Sequence, residues 1–140
     1  MHKNFYHNLK VYYEDTDAGG IVYYANYLKY LERARTEALK TIGLSNTHIK
    51  DKFGLFIIVK SCNIDFVKPS YLEDELIVRS FVKSLTKTSF FMNQIIAKNE
   101  QVIIEAKVHL VFVNKKTKPV KVPDVVFNNF KPYFCNTIKL

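Results

Sequence analysis

The chain has 140 residues, which is enough for one domain with a hydrophobic core but too few for two. We therefore expect residues 1–140 to form a single domain. Hydrophobic residues make up 48% of the chain and charged residues 24%, as in an ordinary globular protein. No apolar run reaches the roughly 18 residues of a membrane span, and the first residues lack the pattern of a secretory signal.

The net charge of +8 favours an anionic partner, such as a nucleic acid, a membrane surface or a phosphorylated small molecule. No zinc finger or RNA-binding aromatic motif is present, so we expect no nucleic-acid partner. Cys62 and Cys135 do not form a CxxC pair, which favours two reduced thiols in a cytoplasmic protein. We expect no metal, because the four histidines lack the spacing of metal ligands: His2, His7, His48 and His109.

The first two predicted elements are a strand and a long helix. Residues 5–13 are rich in aromatic and β-branched types, which indicates a strand. From Tyr24 the apolar residues recur every three or four positions, which predicts an amphipathic helix that ends near Gly43. The predicted apolar stripe is Tyr24, Tyr27, Leu28, Leu31, Ala34, Ala38, Leu39 and Ile42.

After a polar connection, the remaining chain is typical of strands joined by short turns. The predicted strands are residues 55–67, 76–84, 88–97 and 102–113. In the last of them, apolar and polar residues alternate as in a half-buried strand. Short turns favour an antiparallel sheet. The pattern therefore predicts an α+β fold in which the long helix is buried against that sheet.

A site is suggested where Asp15 and Asp17 precede the pair Gly19-Gly20 and the start of the helix. A helix N-terminus presents unpaired N–H groups, and a carboxylate beside them would suit acyl transfer to water. From the spacing alone, an aspartate that simply caps the helix is the stronger interpretation. A calcium loop is disfavoured because Asn26 stands where a bidentate Glu belongs, and no phosphate-binding glycine motif is present.

Residues 11–39, VYYEDTDAGGIVYYANYLKYLERARTEAL, resemble the signature of the 4-hydroxybenzoyl-CoA thioesterase-like hotdog family. They are most similar to its bacterial acyl-CoA thioesterases encoded with the Tol–Pal envelope system. The likeness continues at FVKPSYLEDEL (66–76), SFFMNQI (89–95) and KPVKVP (118–123). The resemblance implies a hotdog fold, a curved antiparallel sheet around one long central helix. It also implies a homodimer or homotetramer with active sites between subunits.

The resemblance also implies roles for individual residues. Asp17 would be the catalytic carboxylate, acting as nucleophile or general base, and the backbone N–H of Tyr24 would polarise the thioester carbonyl. Gly20 would keep the approach open, while Asn26 and Tyr27 would fix the loop and the helix start. Tyr23 is one of the aromatic residues that could close the acyl pocket. The positive charge suggests that Lys87, with Lys118 or Lys121, could contact the phosphates of coenzyme A, but no motif distinguishes these lysines from ordinary surface, which is the stronger interpretation of each. The subgroup usually has His at the position of Tyr24, so this chain departs from it there.

These residues favour an acyl-CoA thioesterase that needs no cofactor. We expect it in the cytoplasm, where it could also associate peripherally with the inner membrane. The alternative is a catalytically weak hotdog module that docks acyl carrier protein or phospholipid-synthesis enzymes. The basic surface would suit either kind of acidic partner. Turnover of acyl-CoA would distinguish the two hypotheses.

Overall fold

The computed structural model describes residues 2–135, in which five strands form one antiparallel sheet. The strands are β1 (Phe5–Lys10), β2 (Phe56–Phe66), β3 (Glu75–Leu85), β4 (Ser89–Lys98) and β5 (Gln101–Val113). Their order across the sheet is β1-β3-β4-β5-β2, so β1 and β2 are the edge strands. The four strands predicted after the helix are all present, whereas the first strand ends at Lys10 rather than at residue 13.

The sheet is interrupted by register shifts in three strand pairs. They fall between Val59 and Ser61, between Val82 and Ser84, and between Ile96 and Ala97. An extra residue on one strand bends that strand and increases its twist. The sheet can therefore curve around a helix instead of lying flat against it.

The long helix α1 (Asn26–Thr41) lies in the curve of the sheet, as predicted. Gly43 follows it with a φ of +77°, a conformation in which glycine commonly ends a helix. The predicted apolar stripe was wrong at Tyr24 and Leu28, which are 62% and 49% exposed. Tyr24 precedes the helix, and Leu28 lies off the buried face, where Tyr30 packs instead at 1% exposure.

Two short helices were not predicted. The segment expected to be a polar connection contains α2 (Asn46–Phe53), whose start is capped by the Ser45 hydroxyl and whose end is followed by Gly54 at a φ of +66°. The second is α3 (Asp124–Phe130), which buries Val126 and Phe130. Within residues 2–135, no helix has both the length and the apolar character needed to cross a membrane.

The sheet has two distinct ends. Lys10, Phe66, Glu75 and Lys98 lie at one end, which we call the loop end because residues 11–25 leave β1 there. Phe56, Leu85, Ser89 and Val113 lie at the other end, which we call the lysine end for Lys87 and Lys118 in its turns. At about 3.4 Å per residue, the 13-residue β5 separates these ends by about 40 Å.

Candidate active site

The loop between β1 and α1 is fastened by Asp15. Its carboxylate oxygen Oδ2 accepts a hydrogen bond from the backbone N–H of Tyr12 at 2.9 Å. Its carbonyl oxygen accepts two more, from the N–H of Tyr23 at 2.9 Å and from the side-chain amide of Asn26 at 2.8 Å. Asp15 therefore connects both ends of the loop by hydrogen bonds.

Asp17 lies at the tip of this loop, in a tight turn. The N–H of Asp17 donates to the carbonyl of Ile21 at 2.8 Å, and its carbonyl accepts from the N–H of Gly20 at 3.0 Å. Its carboxylate oxygen Oδ1 accepts from the N–H groups of Gly19 at 2.9 Å and Ile21 at 3.3 Å. Among residues 2–135, no hydrogen bond is made to the other oxygen, Oδ2. The side chain is thus held by one oxygen, while the other is exposed and available.

The two adjacent glycines of this turn have different reasons to be glycine. Gly20 has a φ of +78°, in the left-handed region where other residues are strained. Gly19 has no such conformation, and a Cβ there would lie 3.4 Å from Oδ1 of Asp17. The backbone therefore requires Gly20, whereas a side chain at position 19 would sit against the carboxylate.

The start of α1 leaves backbone donors free. The N–H groups of Asn26, Tyr27 and Leu28 donate to the carbonyls three residues earlier, at 2.8, 3.3 and 3.2 Å. No hydrogen bond within the described part of the chain is donated by the N–H of Tyr24 or Ala25. Free N–H groups at a helix N-terminus can stabilise negative charge. The N–H of Tyr24 is one of these free groups, and its role toward a thioester carbonyl stays a prediction.

Residues 70–74 connect the loop to the helix by hydrogen bonds, a role that was not predicted from the sequence. Ser70 is fully buried, and its hydroxyl lies 2.6 Å from the hydroxyl of Tyr27. Its carbonyl accepts from the N–H of Val22 at 2.9 Å. Further along, the N–H of Val11 donates to the carbonyl of Asp74, whose carboxylate pairs with Lys98 at 2.7 Å. Ser70 lies inside the quoted stretch FVKPSYLEDEL, but nothing in that pattern distinguishes it from a surface serine.

An aromatic cleft of about 290 Å³ adjoins the helix start. The rings of Tyr24 and Phe66 meet edge to face at 5.9 Å, and Tyr27 contacts Phe66 at 6.0 Å. Tyr23 packs against Tyr24 at 5.2 Å and is half exposed. Asp17 does not line this cleft within one chain. The half-exposed rings of Tyr23, Tyr24 and Phe66 are an apolar surface that a further surface could cover.

Two buried tyrosines of α1 have raised pKa values. Burial raises the pKa of Tyr27, and the hydrogen bond to Ser70 opposes that effect. Burial also raises the pKa of Tyr30, and the nearby carboxylate of Asp15 raises it further. The Tyr30 hydroxyl has no hydrogen-bond partner within residues 2–135. Both phenols are therefore neutral at physiological pH.

The predicted site residues fall at the two ends of the sheet. Six of them lie together at the loop end: Asp17, Gly20, Tyr23, Tyr24, Asn26 and Tyr27. Lys87 lies in the β3–β4 turn and Lys118 in the turn after β5, so both are at the lysine end. Residues 2–135 contain no group of three or more His, Cys, Asp or Glu side chains that could hold a metal ion.

A curved five-stranded antiparallel sheet around one long helix is the hotdog fold. Similar structures agree with this: the crystal structure of a probable thioesterase from Bartonella henselae superposes with a TM-score of 0.83, 32% sequence identity, and coverage of 86% of this chain and 100% of that one. The model of the thioesterase-like superfamily matches residues 11–130. The chain therefore belongs to the thioesterase-like superfamily.

Curated relatives carry the names of thioester hydrolases. The acyl-CoA thioesterase YbgC of Haemophilus influenzae is 37% identical over 119 residues, which are 84% of this chain and 88% of that protein. The acyl-CoA thioester hydrolase YbgC of Escherichia coli is 36% identical over 125 residues, or 88% of this chain and 92% of that protein. The similarity spans nearly the whole of each relative.

Proposed function

We propose that residues 1–140 act as a single hotdog domain that hydrolyses the thioester of an acyl-CoA to a free acid and coenzyme A. The observation that carries this proposal is the loop end itself, where a carboxylate with a free oxygen precedes a helix start with free N–H groups. The names of the relatives from Haemophilus influenzae and Escherichia coli support the same substrate class.

In the proposed reaction Asp17 either attacks the thioester carbonyl carbon or activates a water molecule to do so. The N–H groups at the helix start stabilise the negative charge that develops on the carbonyl oxygen. As a general base, the Asp17 carboxylate takes a proton from a water molecule that attacks the carbonyl carbon. As a nucleophile, it attacks the carbonyl carbon, the C–S bond breaks and coenzyme A leaves as a thiolate, and water then hydrolyses the resulting anhydride to the free acid and the Asp17 carboxylate. In either case the N–H of Tyr24 faces the negative carbonyl oxygen, and one such donor contributes about 3 kcal/mol in known enzymes.

This machinery suits thioesters because their leaving group is a good one. A thiol has a pKa of about 8.5, by analogy with cysteine, so it can depart as a thiolate without a strong general acid. Tyr24, in place of the subgroup's His, is therefore compatible with hydrolysis. Asn26 and Tyr27 act as positioning residues, since they fix the loop and the helix start. Gly20 keeps the approach to the carbonyl open, and Tyr23 closes the acyl pocket.

A second copy of the chain would complete the site. The edge strand β2 is exposed along most of its length, and it carries half-exposed Val59 and Phe66. An exposed edge strand of 11 residues is a template for pairing with another strand. Two copies of β2 that pair antiparallel would set the loop end of each chain beside the lysine end of the other. Lys87 and Lys118 would then contact coenzyme A bound at the partner's Asp17.

Other parts of the hypothesis remain predictions for this chain. They are the tetramer as an alternative to the dimer, membership of the Tol–Pal subgroup, and a cytoplasmic location with peripheral association at the inner membrane. The binding alternative, docking of acyl carrier protein or phospholipid-synthesis enzymes, is favoured only by the basic surface. It predicts binding of acidic partners without turnover.

The test is a panel of acyl-CoA substrates with a thiol-detecting dye, applied to the wild type and to Asp17→Asn. The asparagine Oδ1 can still accept from Gly19 and Ile21, so the turn is kept while the base or nucleophile is lost. We expect turnover to fall about 10²–10⁴-fold.

The matched control is Asp15→Asn, which keeps an acceptor for the Tyr12 N–H and should retain most of the activity. Near-wild-type turnover by Asp17→Asn would remove Asp17 from the mechanism. A wild-type protein that turns over no acyl-CoA would favour the docking alternative.

A further inference from the structure

One flank of the long helix α1 is left uncovered by the sheet. Leu28, Glu32 and Arg35 follow one another at spacings of four and three residues, so they lie along one side of the helix, which we call the charged flank. Leu28 is 49% exposed, Glu32 is exposed and Arg35 is half-buried. The charged flank thus offers a partner one apolar side chain and one charge of each sign.

The charged flank lies beside the edge strand β2. Glu32 and Arg35 line a cavity of about 130 Å³ together with Ile57 and Val59 of that strand. Partial burial raises the pKa of the Cys62 thiol, and the positive charge of Arg35 opposes that rise, which places the guanidinium near the middle of β2. A molecule that pairs with β2 would therefore also meet the charged flank.

The Arg35 guanidinium is held in place but only partly satisfied. Its Nη1 donates to the side-chain oxygen Oε1 of the fully buried Gln94 at 3.0 Å. Gln94 in turn donates to the carbonyl of Leu31 and to the hydroxyl of Ser80, each at 3.1 Å. The other N–H groups of the guanidinium make no hydrogen bond within the described part of the chain. They are free to bind an acceptor from outside it.

Neither charge of the flank has an ion-pair partner within residues 2–135. The ion pair found there joins Lys98 to Asp74, at the loop end of the sheet. Glu32 and Arg35 are three residues apart on the helix, a spacing at which opposite charges can pair, yet they do not pair. A charge that is covered without a counter-charge is costly. A surface that covers Arg35 is therefore expected to supply a carboxylate.

We propose that Glu32 pairs with Arg35 of the partner subunit, so that two equal ion pairs lie about the twofold axis of a dimer. In a twofold contact, a residue that touches a second residue is touched by its counterpart in return. Two β2 strands that pair antiparallel about their middle would set the two charged flanks side by side in opposite directions. The inference rests on the β2 pairing in the proposed function, but it does not require hydrolysis.

A second copy fits this flank better than a free anion does. A free anion would satisfy Arg35, but it would share the cavity with the carboxylate of Glu32, which repels it. The charged flank of a second copy brings a carboxylate for Arg35 and a guanidinium for Glu32 at the same time. The charge pattern is therefore complementary to itself.

The experiment first reverses one charge at a time. Glu32→Arg would set two positive flanks against each other, and Arg35→Glu two negative ones. Because each change acts at both symmetric positions, we expect the dissociation constant of the dimer to rise roughly 100-fold or more. The double variant Glu32→Arg/Arg35→Glu restores opposite charges, and its constant should lie within about tenfold of the wild type. Sedimentation velocity over a range of protein concentrations measures these constants.

Mixing the two single variants tests the pairing itself. A Glu32→Arg chain carries two positive charges on the flank and an Arg35→Glu chain two negative ones, so both ion pairs form only between unlike chains. For an equimolar mixture we expect more than about 90% heterodimer by native mass spectrometry, against about half for random pairing. Random pairing would overturn the proposal.

Arg33 and Glu37 provide the matched control, because they are exposed charges on the opposite flank of the same helix. Arg33→Glu and Glu37→Arg should leave the dissociation constant within about twofold of the wild type. Glu32 is exposed, so Glu32→Arg is expected to fold even if Arg35→Glu does not fold without its bond to Gln94. A Glu32→Arg protein that dimerises as tightly as the wild type would contradict the proposal.

The failure of this inference and the failure of the proposed function have different signatures, because association is measured without substrate. A wild-type dimer that obeys the charge reversals but hydrolyses no acyl-CoA would refute the proposed hydrolysis and support the ion pairs. A wild-type chain that hydrolyses acyl-CoA and stays monomeric at every concentration would refute the ion pairs and leave hydrolysis in place.

Discussion

The two ends of the sheet are built in different ways. At the loop end, backbone and carboxylate hydrogen bonds hold the loop of residues 11–25, and an aromatic cleft lies at the helix start that follows Asp17 in the chain. At the lysine end, charged side chains surround an open groove. We expect the first arrangement to position reacting groups and the second to attract a charged ligand. In the proposed dimer each chain would therefore supply two different halves of a site, which lie about 40 Å apart along the sheet.

The largest expected effect comes from separating two copies. Val59 is 49% exposed on the free edge strand β2, and a dimer formed through that edge would cover it. Val59→Lys would place an unpaired charge in the contact, at a cost of several kcal/mol. We expect the dimer to dissociate and turnover to fall by roughly 100-fold or more, since about 3 kcal/mol of lost association corresponds to that factor.

Light scattering on a sizing column, combined with the thioesterase assay, measures both quantities on one sample. The control is Tyr6→Lys, because Tyr6 is 62% exposed on β1, the other edge strand. That variant should keep both the dimer and the activity. A monomeric Val59→Lys protein with full turnover would mean that one chain holds a complete site, and the division between the two ends would lose its functional meaning.

The long elements of this fold could be predicted from the sequence because their apolar periodicity is strong. The three- and four-residue spacing of Tyr27, Leu31, Ala34 and Ala38 indicated α1, and the alternation in β5 indicated a half-buried strand. α2 was missed because only Ile49 is buried in its eight residues, which leaves no periodicity to detect. Its caps, Ser45 and Gly54, are the signals that could have revealed it.

The site could be predicted only where the motif is continuous in sequence. Asp15, Asp17 and Gly20 stand within a few residues of each other, so their shared loop was predictable. The contact between Tyr27 and Ser70 joins positions 43 residues apart, and local pattern carries no information about it. The placement of Lys87 at the opposite end of the sheet from Asp17 likewise follows from strand order alone. Strand order is a property of the whole chain rather than of any segment.

A smaller effect, on the stability of the fold, is expected from backbone strain. The two ends differ here because a glycine occupies the positive-φ position at one end and a threonine occupies it at the other. At the loop end Gly20 adopts a φ of +78° without strain, and Gly20→Ala should cost roughly 1–2 kcal/mol. In a thermal melt this corresponds to about 4 °C per kcal/mol for a chain of this size. Gly19→Ala is the matched control, because position 19 does not have a positive φ, and it should leave the melting temperature nearly unchanged.

At the lysine end the opposite substitution, to glycine at a position with a positive φ, can be made. Thr117 has a φ of +59°, which is unfavourable for a β-branched residue. Thr117→Gly should therefore relieve strain and raise the melting temperature, in contrast to Gly20→Ala. If both variants melted at the wild-type temperature, strain would not distinguish the two turns.

The smallest expected effect is on the free energy of unfolding and comes from the buried tyrosines of the loop end. It appears only in alkali and is absent at physiological pH. Burial raises the pKa of Tyr30 above its ordinary value near 10, so the folded protein holds this proton more tightly than the unfolded chain. Above pH 10 the unfolded chain releases the proton first, and the free energy of unfolding must fall as pH rises.

Tyr30→Phe should weaken this fall, and should cost little stability at pH 7 because the hydroxyl has no partner within residues 2–135. Tyr13→Phe, at an 83% exposed position, should leave the slope unchanged in urea titrations from pH 8 to 11. Equal slopes for all three proteins would show that lysine deprotonation, and not the buried phenol, sets the alkaline limit of the fold.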